Sequence, residues 1–394
     1  MIDLFRPFMS PEVPETVAAV LTPDSAGRVY CGEGTRVKEF ETKLGLLLNA
    51  SYARAPLTMS SCTSALEMAL YLANIRGKEV ITTPMTCTAT SAAIVRAGGT
   101  IVWADVNPIT GLIDPTDVAG KVHFRTAAIV AVDWGGRACD YRALRMDWGG
   151  NPQPDEESAH DYARHANRRI PIIQDAAHSL LTEYCGQSIA NLGGDYVCWS
   201  FGPIKHLSCG GHGGALVVPE AQRERARLLR WYGLDRESKA DFRCEQDVEE
   251  PGWKAHMTDV DAAIGLANLS YMRGVVHQHR ENASYYTRAL SGVDGITLAP
   301  YDSGSAYWLF DLLVDDRESF QRYMTERGIM TSRVHRRNDE HPGYQYSSGP
   351  LPGVDAFDSR HVCIPVGWWL SDEDCDYIAN TIISWSRSRI AVPM

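Results

Sequence analysis

The stretch QDAAHSLL (Gln174–Leu181) closes one apolar run of the chain, and WSFGPIKHLSCGGHGG (Trp199–Gly214) closes the next. The first ends on an acid and a histidine, the second on a serine and a single lysine followed by glycines. Apolar runs of about four to seven residues suit strands covered on both faces, because such a strand needs no polar side. The same kind of run recurs on either side, in APLTM, EVITTP, TIVWADV, AAIVAVDW, PIIQDAA, DYVCWSF and GALVVP. Between several of them lie periodic segments, such as CTSALEMALYLANIRG and CTATSAAIVRAGG, that are long enough for crossover helices. The alternation predicts an α/β sheet that is mostly parallel.

A chain of 394 residues predicts a large domain of about 250 residues with a smaller companion. The polar stretch DRESKADFRCEQDVEEPG marks the boundary, giving a large α/β domain over 1–245 and a small C-terminal α+β domain over 246–394. The turn-rich segment 146–167 is read as a surface excursion between two strands of the sheet. A net charge of −11 offers no basic surface for nucleic acid or anionic lipid. The N-terminus lacks a basic segment followed by an apolar one, and no run of about eighteen apolar residues occurs, so the expectation is a cytoplasmic protein without a membrane span. The ten cysteines show no C-x-x-C pair and no zinc spacing. They read as reduced thiols, with no metal site.

In an open α/β sheet, ligands bind outside the carboxyl ends of the strands. The predicted strand ends carry Ser61, Cys62 and Thr63, then Thr83, Asp133 and Trp134, then Asp175 and His178, then Ser200 with Lys205 beyond it. A turn of small residues opening a helix at Ser61–Ser64 suits a phosphate, although a plain capping box from Ser64 to Glu67 explains the same residues. Asp175 ends an apolar strand, where an unpaired carboxylate needs a partner, and a protonated ring nitrogen would be one. Lys205, partly desolvated, would have a lowered pKa and could attack an aldehyde; a lysine on a surface loop is the plainer reading. Phosphate cradle, carboxylate and amine are together the three handles of pyridoxal 5′-phosphate.

At these residues the sequence resembles the DegT/DnrJ/EryC1/StrS family of sugar aminotransferases, a branch of the fold type I pyridoxal-phosphate enzymes. The resemblance runs from GEGTRVKEFE (32–41) to the C-terminal helix. It rests on SSCTSALEMAL, TTPMTCTATSAAIVRAGGTIVWADVNPITGLID, QDAAHSL, SFGPIKHL and GWKAHMTDVDAAIGLANL, taken in the family's order. It implies that Lys205 forms the Schiff base with the cofactor and then moves the proton between substrate and cofactor carbons. It further implies that Asp175 binds the pyridine nitrogen, that His178 lies beside the ring hydroxyl, and that Ala177 packs on the ring. Ser61, Cys62, Thr63 and Ser200 would hold the phosphate. The implied activity moves an amino group from glutamate or glutamine to a keto sugar, with a nucleotide-linked one as the leading case, by ping-pong kinetics in a homodimer with shared active sites.

The chain departs from the family pattern at three places. Lys254 stands where the neighbouring subunit's asparagine reaches the phosphate, Cys87 stands where an aromatic covers the cofactor ring, and KHLSCGGHGG lacks the acid of the family's glycine loop. For the acceptor, His335 and Arg336 of SRVHRRNDEHPGY, together with Trp134 and Tyr30, are the candidates. Two rival activities remain at this stage. One is the sugar 3-dehydratase branch, which carries histidine in place of the lysine; the other is a pyridoxal-phosphate-binding regulator without turnover, which would usually add a DNA-reading module not seen here. A nicotinamide enzyme would need G-x-G-x-x-G between a strand and a helix, and neither glycine-rich stretch joins the two.

Overall fold

The seven apolar runs become seven strands of one sheet in the computed structural model, which describes residues 1–29, 32–145, 169–238, 245–344, 346 and 349–390. In chain order these are β1 (Leu57–Met59), β2 (Glu79–Thr82), β3 (Thr100–Trp103), β4 (Thr126–Val132) and β5 (Ile172–Asp175). A small hairpin, β6 (Glu183–Tyr184) and β7 (Gln187–Ser188), precedes β8 (Tyr196–Ser200) and β9 (Gly214–Val217). The spatial order is β1-β9-β8-β5-β4-β2-β3. Pairings from β8 across to β3 are parallel, and β9 runs antiparallel to both of its neighbours. The carboxyl ends of β1, β2, β4, β5 and β8 therefore face one rim.

Helices cover both faces of this sheet. They are α1 (Val13–Leu21), α2 (Thr35–Leu47), α3 (Cys62–Leu72), α4 (Thr88–Arg96), α5 (Pro115–Lys121), α6 (Ile189–Leu192), α7 (Arg223–Leu229) and α8 (Asp259–Leu269). Strand β4 is buried at every position. Its Ala128 and Val130 pack with Leu66, Ala69 and Ile94 of α3 and α4, while Ile129 and Ala131 pack on the other side with Val118 and Tyr141. That two-sided cover is why these strands read as continuous apolar runs; each fully buried Val or Ile contributes about 1.5–3 kcal/mol.

The C-terminal lobe is an antiparallel sheet of β10 (Ile296–Leu298), β11 (Phe310–Val314) and β12 (His361–Ile364). Around it lie α9 (Met272–Ala289), α10 (Arg317–Glu326), α11 (Pro352–Arg360) and α12 (Asp372–Ile390). Helix α8 shares a core with α2, through Ala262 and Leu269 against Val37 and Phe40, whereas the cluster of the small sheet begins with Ala283 on α9. The apolar face of α8 is thus covered by the large lobe. The two lobes also share a core, since Trp308, Leu309, Val354 and Phe357 pack with β2 and β4 residues. The segment 146–167, expected as a surface excursion, lies outside the described residues.

A buried polar network fixes the rim between β4 and β5. Asp133 accepts hydrogen bonds from the Tyr141 hydroxyl (2.6 Å), Ser179 Oγ (2.8 Å), Gln174 Nε2 (2.5 Å) and the Cys139 amide (3.0 Å). Burial pushes its pKa up to about 6, with these donors opposing the shift. Four donors converge on one acceptor-only group, so an amide at this position would turn its NH₂ against at least one of them. Asp133→Asn is expected to lower the unfolding free energy at pH 7.5 by about 1–3 kcal/mol, read from the urea midpoint at unchanged slope. An unchanged midpoint would remove this network from the account.

Candidate active site

The rim groups converge on one cavity of about 220 Å³. Ser61, Cys62 and Thr63 line it from the start of α3, Cys87 from the start of α4, Asp175, Ala177 and His178 from the end of β5, and Ser200 and Lys205 from the end of β8. Nine residues singled out in the sequence thus meet in one place.

Ser61 is the N-cap of α3, and its side chain accepts from the Ser64 amide at 3.0 Å. The capping box from Ser64 to Glu67 does not form; Glu67 instead pairs with Arg96 at 2.8 Å. An N-cap satisfies one of the first amides of a helix and leaves the others pointing outward, so Cys62 and Thr63 present theirs toward the cavity with the positive end of the α3 dipole. Gly214 permits this approach, because a Cβ there would lie 2.6 Å from the Cys62 nitrogen. The arrangement suits an anion.

Asp175 is 5% exposed. Its Oδ2 accepts from Thr90 Oγ1 at 2.7 Å and its Oδ1 from the Ala177 amide at 3.1 Å, with Cys62 Sγ at 3.9 Å. Burial raises its pKa, and the Thr90 and Ala177 bonds and the nearby Lys205 charge act against that rise. No ion pair to this carboxylate occurs among the described residues, so a protonated nitrogen entering the cavity would supply its cation.

Lys205 is half-buried, and burial lowers its pKa from 10.5 to about 8 against the opposing pull of Asp175. An appreciable fraction of it is therefore a neutral, nucleophilic amine near pH 8. His178 is held neutral by burial and by the positive field of Lys205. Its Nδ1 accepts from the Gly135 amide at 3.3 Å, so its proton sits on Nε2.

The other expected residues divide. His335 stacks nearly parallel to His178, with ring centroids 5.8 Å apart, and its Nε2 is buried without a hydrogen-bond partner. Trp134 does not reach the cavity. It is fully buried behind His178, with Nε1 donating to Asp311 at 3.1 Å. Arg336 is exposed and tied to Glu340 at 2.7 Å. Lys254 is exposed, pairs in a bridge with Trp231, and does not line this chain's cavity. Tyr30 lies outside the described residues.

Two residues at the site carried no signal in the sequence. Thr90, one helical turn after Cys87, is the hydroxyl donor to Asp175. Trp308, from the C-terminal lobe, covers Lys205 with its ring, and only the folded chain brings it there. Among the described residues no helix is long and apolar enough to cross a membrane, and no cluster of His, Cys, Asp or Glu is placed to hold a metal ion.

The model of the DegT/DnrJ/EryC1/StrS aminotransferase family matches residues 14–383. AtS13 from Actinomadura melliaura is similar in structure, with a TM-score of 0.86 at 38% identity over 98% of each chain. The sugar aminotransferase CalS13 from Micromonospora echinospora has a TM-score of 0.86 at 35% identity, over 98% of this chain and 100% of its own. A spore coat polysaccharide biosynthesis protein of Bacillus subtilis, SpsC, is 29% identical over 371 residues, 90% of each chain. The chain belongs to the DegT/DnrJ/EryC1/StrS aminotransferase family. Its fold is that of the fold type I aminotransferases, and the enzyme is an aminotransferase dependent on pyridoxal 5′-phosphate.

The depressed pKa of Lys205 has a stability consequence. A lysine that ionises near 10.5 when unfolded and about 8 when folded weakens the fold where it must be charged. The penalty is complete below about pH 8 and fades as the pH rises toward 10.5. In cofactor-free protein, Lys205→Met is expected to add about 1–2 kcal/mol of stability at pH 7, after allowance for solvent near a half-buried amine. Thermal midpoints at pH 7 and pH 10 check this, with the gain confined to the lower pH.

Proposed function

We propose that the strand-end cavity seats pyridoxal 5′-phosphate through the residues named above, and that the enzyme uses it to move an amino group from glutamate or glutamine to a keto group on a sugar, in the simplest case a nucleotide-linked one. The observation that carries this reading is the convergence of the Lys205 amine, the buried Asp175 carboxylate and the α3 N-terminus on a single cavity. Bound there, the cofactor supplies an aldehyde that accepts the amino group and a ring that takes up the electron pair left when a carbon-bound proton departs.

The remaining steps belong to the chain's own residues. The α3 amides at Cys62 and Thr63, with the Ser61, Thr63 and Ser200 hydroxyls, bind the phosphate. Asp175 keeps a proton on the ring nitrogen; the Thr90 hydroxyl and the Ala177 amide hold the carboxylate in the charged form that this requires. His178, protonated on Nε2, donates toward the ring oxygen. Ala177 and Cys87 would flank the ring, Cys87 with less stacking area than an aromatic would offer. Lys205 Nζ would hold the cofactor through its aldehyde and, once released by the amino donor, would be the group that carries the proton between the two carbons. Amino transfer rather than dehydration is favoured because this position is a lysine.

The resemblance supports a homodimer in which Lys254 of one chain reaches the phosphate of the other; its exposure outside its own cavity leaves it available for that contact. On the acceptor side, His335 is the candidate that stands next to His178. Lys205→Ala is expected to abolish turnover while still binding pyridoxamine 5′-phosphate, and full activity in this variant would refute the assignment. Asp175→Asn is expected to lower kcat by about a hundredfold or more, since the loss of one preorganised charge at a reacting centre has that size; an unchanged rate would refute the ring-nitrogen role.

A further inference from the structure

We propose that the indole of Trp308 is the seat of the Lys205 ammonium whenever that lysine is not joined to the cofactor, so that Trp308 is a positioning residue that sets where the lysine waits and how tightly it holds its proton. The inference rests on the reading of Lys205 given above.

Lys205 Nζ lies 3.4 Å from the centroid of the Trp308 ring. The indole is 3% exposed, and a cation over an aromatic face is held most strongly when the pair is removed from water. The ring is fixed by three neighbours. Nε1 donates to the carbonyl of Ile204 at 2.8 Å, which ties the indole to the backbone next to the lysine itself. Phe5 stacks on it with centroids 5.0 Å apart, and His178 stacks at 4.0 Å. A ring so held marks one position for the amine.

The surrounding charges show why such a seat matters. Burial works against the charge on Lys205 and the Asp175 carboxylate on β5 opposes that, while the thiols of Cys62 on α3 and Cys87 before α4 also face the amine. His178, His206 and His335 also face the lysine, and their positive forms and its own disfavour one another. Asp175 is committed to the ring nitrogen once cofactor is bound, which removes it as a free counter-charge for the displaced lysine. The indole face then remains. It attracts a cation without accepting its proton, so the lysine stays able to give that proton to a carbon atom. The seat also joins the lobes, because Lys205 follows β8 while Trp308 precedes β11 in the C-terminal lobe.

The test measures how fast cofactor-free enzyme develops its visible band after mixing with pyridoxal 5′-phosphate, as a function of pH. Only the neutral amine attacks the aldehyde carbon, with water leaving, so the midpoint of the rate profile reports the proton affinity of Lys205. A face that favours the ammonium raises this midpoint. Trp308→Leu is therefore expected to move it down by roughly 0.5 to 1.5 pH units, and Trp308→Phe by less, with pyridoxamine 5′-phosphate affinity kept within a few-fold. An unshifted midpoint in a Trp308→Leu protein that still binds pyridoxamine 5′-phosphate would overturn the proposal. If that variant does not fold, growth of the unsubstituted chain on fluorinated tryptophan weakens the face without changing its shape, with Trp308→Phe grown the same way as background. A downward shift in the first alone supports the seat, and equal profiles refute it. Absence of any visible band in the unsubstituted protein would instead refute the reading of Lys205, a failure distinct from an unshifted midpoint.

Discussion

A carboxylate buried at the end of a parallel strand is the constraint on which the site turns. Asp175 closes β5 in the middle of the sheet, 5% exposed, with a hydroxyl and an amide as its hydrogen-bond donors. Such a group is tolerable only where neighbours hold it in place and a cation can reach it. The structure meets the first condition through α4, which delivers Thr90, and through the bend after β5, which returns the Ala177 amide. The Asp133 network then locks the adjoining segments, because Gln174 and Ser179 on either side of Asp175 both donate to it. The second condition is what makes the place a binding site.

The cavity also depends on the antiparallel β9. By pairing with both β1 and β8, this strand brings the start of α3 beside the end of β8, so the first residues of α3 and Lys205 share one space. Gly214 at the start of β9 removes the Cβ that would otherwise press on Ser61 and Cys62. The glycine-rich stretch after Lys205 thus has a packing role as well as a place in the cavity wall. The lysine is covered in turn by the C-terminal lobe through Trp308. A residue of the small lobe thus closes over one from the large lobe.

Much of this was legible in the sequence, for identifiable reasons. Strands buried on both faces leave continuous apolar runs, and all seven were visible as such. Residues at the ends of those runs were bound to share a rim, which brought Ser61, Asp175, His178, Ser200 and Lys205 together on paper. An aromatic at a strand end, such as Trp134, reads alike in sequence whether it faces a ligand or the core, and here it packs between Asp311 and His178. Arg336 attracted notice as a charge in a loop, and in the structure it pairs with a carboxylate four residues on. Trp308 could not be foreseen, since its contact with Lys205 spans about a hundred residues and depends on how the lobes pack. That α2 covers the apolar face of α8 is likewise a tertiary fact, which no local stretch of sequence announces.

The most direct test of the central claim is the absorbance spectrum of the purified protein mixed with pyridoxal 5′-phosphate, recorded before and after glutamate is added. The account predicts a visible band that forms with the cofactor and bleaches to the pyridoxamine form when the donor arrives, without any acceptor present. A protein that develops no visible band, or whose band neither glutamate nor glutamine can bleach, would contradict it.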